Sequence, residues 1–61
     1  MVRIQDIREG SVVIVRSCFG QGKPETVVVD EVDTDIKNGI PGIGYGDSWA
    51  YITQVDCVVT Y

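Results

Sequence analysis

Valine is the feature that most constrains the fold of this chain: eleven of the 61 residues are valine, and most stand in short clusters. Branching at Cβ restricts a side chain in a helix but suits the pleated surface of a sheet. Seven glycines separate these clusters, and no window places apolar residues at the 3.6-residue period of an amphipathic helix. The sequence therefore predicts an all-β fold, and the chain length predicts a single domain over residues 1–61.

The predicted segments are short and are joined by turns. Alternation in the first strand points Val13 and Val15 to the core and leaves Arg16 on the exposed face. In chain order the segments are an entry segment Val2–Ile7 that sends Ile4 and Ile7 to the core, a first strand Ser11–Ser17, a loop Cys18–Pro24, an extended stretch Glu25–Lys37, a strand Trp49–Thr53, a one-turn connector Thr53–Asp56 and a closing strand Cys57–Tyr61.

The extended stretch Glu25–Lys37 cannot be one regular strand. Val27 and Val29 occupy odd positions, whereas Val32 and Ile36 occupy even positions. Because side chains alternate between the two faces of a strand, both sets reach one core only across a bulge or bend. We expect that bend near Asp30-Glu31.

Asn38-Gly39 is the strongest local pattern in the chain, because this pair supplies the two positive φ angles of a type I′ hairpin. A two-residue turn pairs Lys37 with Ile40. The same register pairs Ile36 with Pro41, Thr34 with Ile43 and Val32 with Tyr45, and collects these six residues on one face.

The layout resembles the SH3-like barrels, including the KOW and Tudor-type variants. The resemblance rests on Asp6-Ile7-Arg8-Glu9-Gly10 before a valine-rich strand, the Asn38-Gly39 hairpin, Trp49-Ala50-Tyr51-Ile52, and a connector similar to the short 3₁₀ turn of that fold. It implies a partly open barrel of about five short antiparallel strands with a long, bent second strand. It also implies that the first and last strands are antiparallel neighbours, with Cys18 near Cys57. In its overall character the chain is also similar to short phage and prophage proteins of unknown function.

The charge balance disfavours nucleic acid as a partner. Nine acidic residues against five basic ones give a net charge of −4, and no two cations are adjacent, whereas nucleic-acid binding draws on a basic face.

No apolar run approaches the length that spans a bilayer, and the first residues lack the apolar region of a secretory signal. We therefore expect a cytoplasmic protein in which Cys18 and Cys57 are either reduced thiols or a disulfide between the first and last strands.

The sequence offers no catalytic, metal or cofactor constellation. With no histidine, neither a cysteine nor a serine has the usual base beside it, and a zinc site has too few ligands. A phosphate-binding loop ending at Lys23 would require glycine at position 17 and Ser or Thr at position 24, where Ser17 and Pro24 stand. The acidic stretch from Asp30 to Asp35 does not fit a calcium loop. We expect a protein that is not an enzyme.

The aromatic residues are the best candidates for a binding site. Alternation places Trp49 and Tyr51 outward if Ile52 and the small Ala50 fill the interior. Exposed Trp and Tyr residues are enriched at interaction hot spots. The predicted surface comprises Tyr45, Trp49 and Tyr51 with the flanking carboxylates Asp33 and Asp35. Two alternatives remain: the rings cap the barrel or cover the glycine-rich strand, and the acidic residues form a solvated face or a weak divalent-cation site rather than a dock for a basic partner.

The sequence thus predicts a non-catalytic interaction module that binds a protein partner or a second copy of itself through an aromatic patch. A KOW-type nucleic-acid-linked regulator and a small structural subunit of a larger assembly are the alternatives.

Overall fold

The computed structural model describes residues 2–16 and 21–61, and these residues form an all-β protein, as predicted. Short 3₁₀ turns at Ile4–Asp6 and Ile52–Gln54 are the helical segments within those ranges. The described residues contain six strands rather than about five, because the stretch predicted as one long strand divides in two. The strands are β1 Val12–Arg16, β2 Pro24–Val28, β3 Glu31–Lys37, β4 Ile40–Tyr45, β5 Ser48–Tyr51 and β6 Val55–Thr60.

The strands form two antiparallel sheets of three strands each. The first sheet has the order β2-β1-β6, and the second has the order β3-β4-β5. The first and last strands are antiparallel neighbours, with Val13 opposite Val58 and Ile14 opposite Cys57. The N-terminal half of the chain thus pairs with its C-terminal strand, and the central hairpins form a separate sheet.

The chain passes from one sheet to the other across a single peptide bond. The Val29 N–H donates to the Ser11 carbonyl at 2.8 Å beside the first sheet, and the Asp30 N–H donates to the Gly44 carbonyl of the second sheet, also at 2.8 Å. This confirms the bend predicted from the parity of the valines and places it immediately before Glu31.

The inner faces of the two sheets share one core. Val13 and Val15 of β1 are 0% and 1% exposed, as their alternation predicts. Ile43 of β4 and Ala50 of β5 close the core from the second sheet, at 0% and 1% exposed. Ile7 is buried beside them from the entry segment, and Ile4 packs against the core.

The central hairpin has the predicted turn but not the predicted register. Asn38 and Gly39 have φ angles of 55° and 77°, and Lys37 lies opposite Ile40. Beyond the turn, however, the register shifts by two residues, so that Val32 lies opposite Ile43 and not opposite Tyr45.

The shift arises between Asp33 and Lys37. Three residues of β3 separate these two, whereas only Pro41 separates their partners Gly42 and Ile40 on β4. Proline has no amide hydrogen to donate to a neighbouring strand. The side chains of Asp33 and Asp35 instead accept hydrogen bonds from the backbone N–H groups of Asp35 and Gly39, at 2.9 and 2.7 Å. The predicted pairs Ile36–Pro41 and Thr34–Ile43 were therefore wrong.

A 3₁₀ turn precedes the last strand, as predicted, but it spans Ile52–Gln54 rather than Thr53–Asp56, and the last strand begins at Val55 rather than Cys57. The turn is hydrogen-bonded to two neighbouring strands. The Gln54 side chain accepts a hydrogen bond from the Tyr51 N–H at 2.9 Å and donates to the Arg16 carbonyl at 3.0 Å.

Cys57 is exposed on β6, opposite Ile14. The expected proximity of Cys18 to Cys57, like most of the loop predicted before Pro24, lies outside the described residues. Within residues 2–16 and 21–61 no helix is long and apolar enough to cross a membrane.

Candidate functional site

The outer face of the second sheet carries the exposed aromatic residues. Trp49 is 46% exposed, whereas the next residue, Ala50, is 1% exposed. Tyr51 is half-buried on the same side of β5 as Trp49, and Ile52 packs against the core. The side-chain alternation predicted for this strand is therefore present, with the indole facing solvent.

Both aromatic rings stand beside glycine positions of the neighbouring strand. Trp49 lies opposite Gly44 and Tyr51 lies opposite Gly42. The two rings meet edge to face, with their centroids 5.0 Å apart at an interplanar angle of 90°, which is a favourable arrangement for an aromatic pair. Tyr51 thus supports Trp49 from one side.

The two glycines differ in what covers them. A methyl group at Gly42 would lie 2.6 Å from Ile36 Cγ2, so Ile36 already fills the space above that position. A methyl group at Gly44 would lie no closer than 3.6 Å to any atom beyond its own chain neighbours, with the Glu31 side chain nearest. The surface is therefore open above Gly44, in front of Trp49.

This opening is a cleft of about 480 Å³ on the outer face of the second sheet. Its acidic side comes from the start of β3, its far end from the β4–β5 turn, and its aromatic side from β5. The residues that line it are Asp30, Glu31, Asp33, Ile36, Lys37, Gly44, Gly46, Asp47, Ser48 and Trp49.

Four carboxylates and one ammonium line the cleft, which leaves a local excess of three negative charges. Asp30 accepts a hydrogen bond from the Gly46 N–H at 2.5 Å and so fixes the β4–β5 turn, and Asp33 is bonded to the backbone of its own strand. Among the described residues, Glu31 and Asp47 have neither a side-chain hydrogen bond nor an ion pair. Their charges are available to a ligand.

Lys37 occupies part of the cleft. Its ammonium nitrogen lies 5.7 Å from the centroid of the Trp49 ring, within the range of a cation–π interaction. Lys37 is itself exposed and is the last residue of β3. The face of the indole is therefore accessible to a positive charge, and a long, flexible side chain holds one there.

Two of the predicted site residues lie elsewhere. Tyr45 does not join Trp49 and Tyr51, because it packs against the core on the opposite face of the second sheet. Burial there, together with the negative charge of Glu25, raises the pKa of the Tyr45 phenol. Asp35 holds the hairpin by accepting the Gly39 N–H and is not among the residues that line the cleft.

The site that the structure assembles is thus larger than the predicted one. Asp33 and Trp49 line the cleft, and Tyr51 lies directly behind Trp49. Asp30 and Glu31 also line the cleft, and because they belong to the acidic stretch of the sequence, their place in the site could have been anticipated. Nothing in the sequence shows that Asp47 and Lys37 meet Trp49, because this depends on the register of two hairpins.

The cleft is suited to binding a cation with an apolar or planar body. Within residues 2–16 and 21–61 no group of three or more His, Cys, Asp or Glu side chains comes together in a way that could hold a metal ion. The carboxylates are spread along one side, opposite an indole, and this arrangement favours an extended ligand over a small ion. Comparisons of the chain with protein-family models, with curated proteins and with solved structures each gave no match.

Proposed function

We propose that this protein is a non-catalytic interaction module that binds a protein partner through the cleft and the adjacent ring of Tyr51. The observation that carries the proposal is the position of Trp49: the residue is 46% exposed and forms one side of an open cleft. A tryptophan that is left half in water contributes less to folding than a buried one, and it offers a large contact area to a partner.

The surroundings of Trp49 support this proposal. The T-shaped contact with Tyr51 holds the indole in one orientation, so that a partner need not immobilise it. Interface residues that are already ordered cost less conformational entropy on binding. A rigid aromatic residue within a charged border also resembles the usual composition of an interface centre and its rim.

We also propose that the fold is a variant of the SH3-like architecture. Four features support this: two small antiparallel sheets, a bent segment that serves both, a first strand paired with the last, and a 3₁₀ turn before the last strand. In this proposal the module is related by architecture to the small β-domains that act by binding.

Affinity capture from the source cells tests the proposed function. The bait is the full chain, and its test variant is Trp49→Ala with Tyr51→Ala. The control variant is Val28→Ala with Val59→Ala, which truncates two residues of the first sheet that are each 56% exposed. We expect a partner that is captured by the wild type and the control and is lost with the aromatic variant. Capture that is equal in all three, or that is lost only with the valine variant, would contradict the proposal.

A second candidate, a structural subunit that associates with copies of itself, is favoured by the outer face of the first sheet. Val28 lies opposite Val12 there, beside Ile14, and all three residues are apolar and at least partly exposed. Sedimentation velocity over a concentration series tests this candidate. A dimer that Val28→Lys dissociates would support it, and a monomer at all concentrations would exclude it.

A further inference from the structure

The cleft combines negative charge with an aromatic face, and neither feature favours an apolar ligand. Its charge excess is negative, whereas the open side of Trp49 is an aromatic face with a negative quadrupole. Both features attract a positive charge, and they do so from opposite sides of the same space. An apolar or anionic ligand would have to desolvate Glu31 and Asp47 without compensation.

Lys37 shows that a cation fits against the indole. Its ammonium group lies 5.7 Å from the ring centroid, although water competes for this exposed side chain. The contact is weak in such a position. A ligand that brings a better cation can therefore displace Lys37 at little cost.

We propose that the cleft binds an arginine side chain from an exposed basic segment of the partner protein, with the guanidinium stacked on Trp49 and hydrogen-bonded to Glu31. This inference rests on the proposed function and specifies its partner. A guanidinium is planar, is weakly hydrated and presents several donors, so it can stack on an indole while it binds a carboxylate. An ammonium group offers only a compact point charge.

The floor and the far end of the cleft favour a peptide segment as the ligand. The cleft volume of about 480 Å³ falls within the usual range for ligand-binding pockets. Gly44 forms an open floor where the backbone of a ligand can approach the sheet. Asp47, at the far end, provides a second carboxylate for a second basic residue of the same segment.

A second copy of this chain is a poor source of that arginine. It carries the same net charge of −4 and would be repelled by the acidic cleft, and no two of its cations are adjacent in the sequence. A nucleic acid is excluded by the sign of its charge. The occupant to which the observations point is a basic segment of a different protein.

Fluorescence titration tests the proposal directly, because Trp49 is the single tryptophan of the chain. The probe is the peptide acetyl-Gly-Ser-Arg-Gly-Arg-Ser-Gly-amide, and the matched peptide has glutamine in place of both arginines. We expect the arginine peptide to change the Trp49 emission saturably, and added salt to weaken its binding. The glutamine peptide should leave the emission unchanged.

Two matched pairs of variants separate the cleft from the overall charge of the protein. Lys37→Met and Lys23→Met remove the same charge, but only Lys37 lies over the indole, whereas Lys23 is exposed elsewhere. We expect Lys37→Met to bind the peptide roughly two- to fivefold more tightly, and Lys23→Met to match the wild type. Similarly, Glu31→Gln should weaken binding roughly two- to fivefold, while Glu9→Gln should have no effect.

Each of these measurements can contradict the proposal that the cleft binds arginine. Equal binding of the two peptides, equal effects within either pair of variants, or no saturable change up to about 5 mM peptide would overturn the arginine assignment. If the assignment fails but capture of a partner still depends on Trp49 and Tyr51, the proposed function stands and only its partner chemistry is wrong. If capture does not depend on these rings either, both proposals fall.

Discussion

Gly42 is a position where one added methyl group should disturb the protein strongly. In Gly42→Ala, the new carbon would lie 2.6 Å from Ile36 Cγ2 and 3.2 Å from Ile36 Cβ, and it would overlap the carbonyl oxygen of Ala50. Neither neighbour moves easily, because isoleucine is stiff at χ1 and the Ala50 carbonyl belongs to the backbone of β5.

The expected cost follows from this overlap. Forcing an extra methyl group into a filled site destabilises a protein by about 1–3 kcal/mol, and the backbone contact places Gly42→Ala at about 2–3 kcal/mol. A domain of this length has a free energy of unfolding of about 3–9 kcal/mol. Each kcal/mol lowers the melting temperature of so small a domain by about 4–8 °C. We therefore expect the melting temperature to fall by about 10–20 °C.

Gly44→Ala is the matched control. It adds the same methyl group to the same strand, but the new carbon makes only ordinary contacts with Glu31. Its free energy of unfolding should stay within about 0.5 kcal/mol of the wild type, because alanine also restricts the unfolded chain. Urea unfolding is best followed by circular dichroism, since Trp49 lies opposite Gly44 and its emission would change directly. Equal stabilities of the two variants would refute the packing of Ile36 over Gly42, and with it the two-residue shift in register.

Three further predictions concern the turn, the ion pair and the tyrosine outside the cleft. Gly39→Ala places a side chain at a φ of 77°, so urea unfolding should show a loss of about 1–2 kcal/mol; an unchanged midpoint would argue against the type I′ turn. Asp56→Asn removes a 2.6 Å ion pair with Arg16 whose side chains are about 40% exposed, so it should cost less than about 1 kcal/mol; a loss that persists in concentrated salt would contradict a screened surface pair. Because the pKa of Tyr45 lies above its ordinary value of 10.0, the folded state retains the phenol proton longer than the unfolded state, and the free energy of unfolding should fall as the pH rises past 10. The fall should be shallower in Tyr45→Phe, and equal slopes for the two proteins would exclude this cause.

The parts of the fold that follow a local pattern were predictable from the sequence. The alternation of Val13 and Val15 located the core face of β1, and the change of parity after Val29 located the bend between the sheets. Asn38-Gly39 located the hairpin turn, because few other residue pairs tolerate two positive φ angles.

The register of the central hairpin was not predictable in the same way. A two-residue turn fixes the first pair, but Pro41 interrupts the hydrogen-bond ladder at the next one. The side chains of Asp33 and Asp35 then stabilise a bulge. As a result, Ile36 lies over Gly42, on the face opposite to the one predicted for it.

The candidate site was predicted only in part for the same reason. The orientation of Trp49 depends on alternation within one strand, and it was predicted correctly. The placement of Tyr45 depends on which face of β4 meets the core, and the structure puts it on the inner face. The meeting of Asp47, Lys37 and Trp49 requires two turns and two registers at once, and no short sequence pattern encodes that.

The free energy of unfolding of Trp49→Ala, measured by urea and circular dichroism, is the most direct test of a recognition surface on the second sheet. If the indole stands half in solvent beside Tyr51 and Lys37, its loss should cost about 1.5–2.5 kcal/mol, from the covered half of its surface and the aromatic pair together. A loss of about 3–5 kcal/mol, typical of a tryptophan removed from a core, would show that the ring is part of the folded interior and leave no surface for a partner.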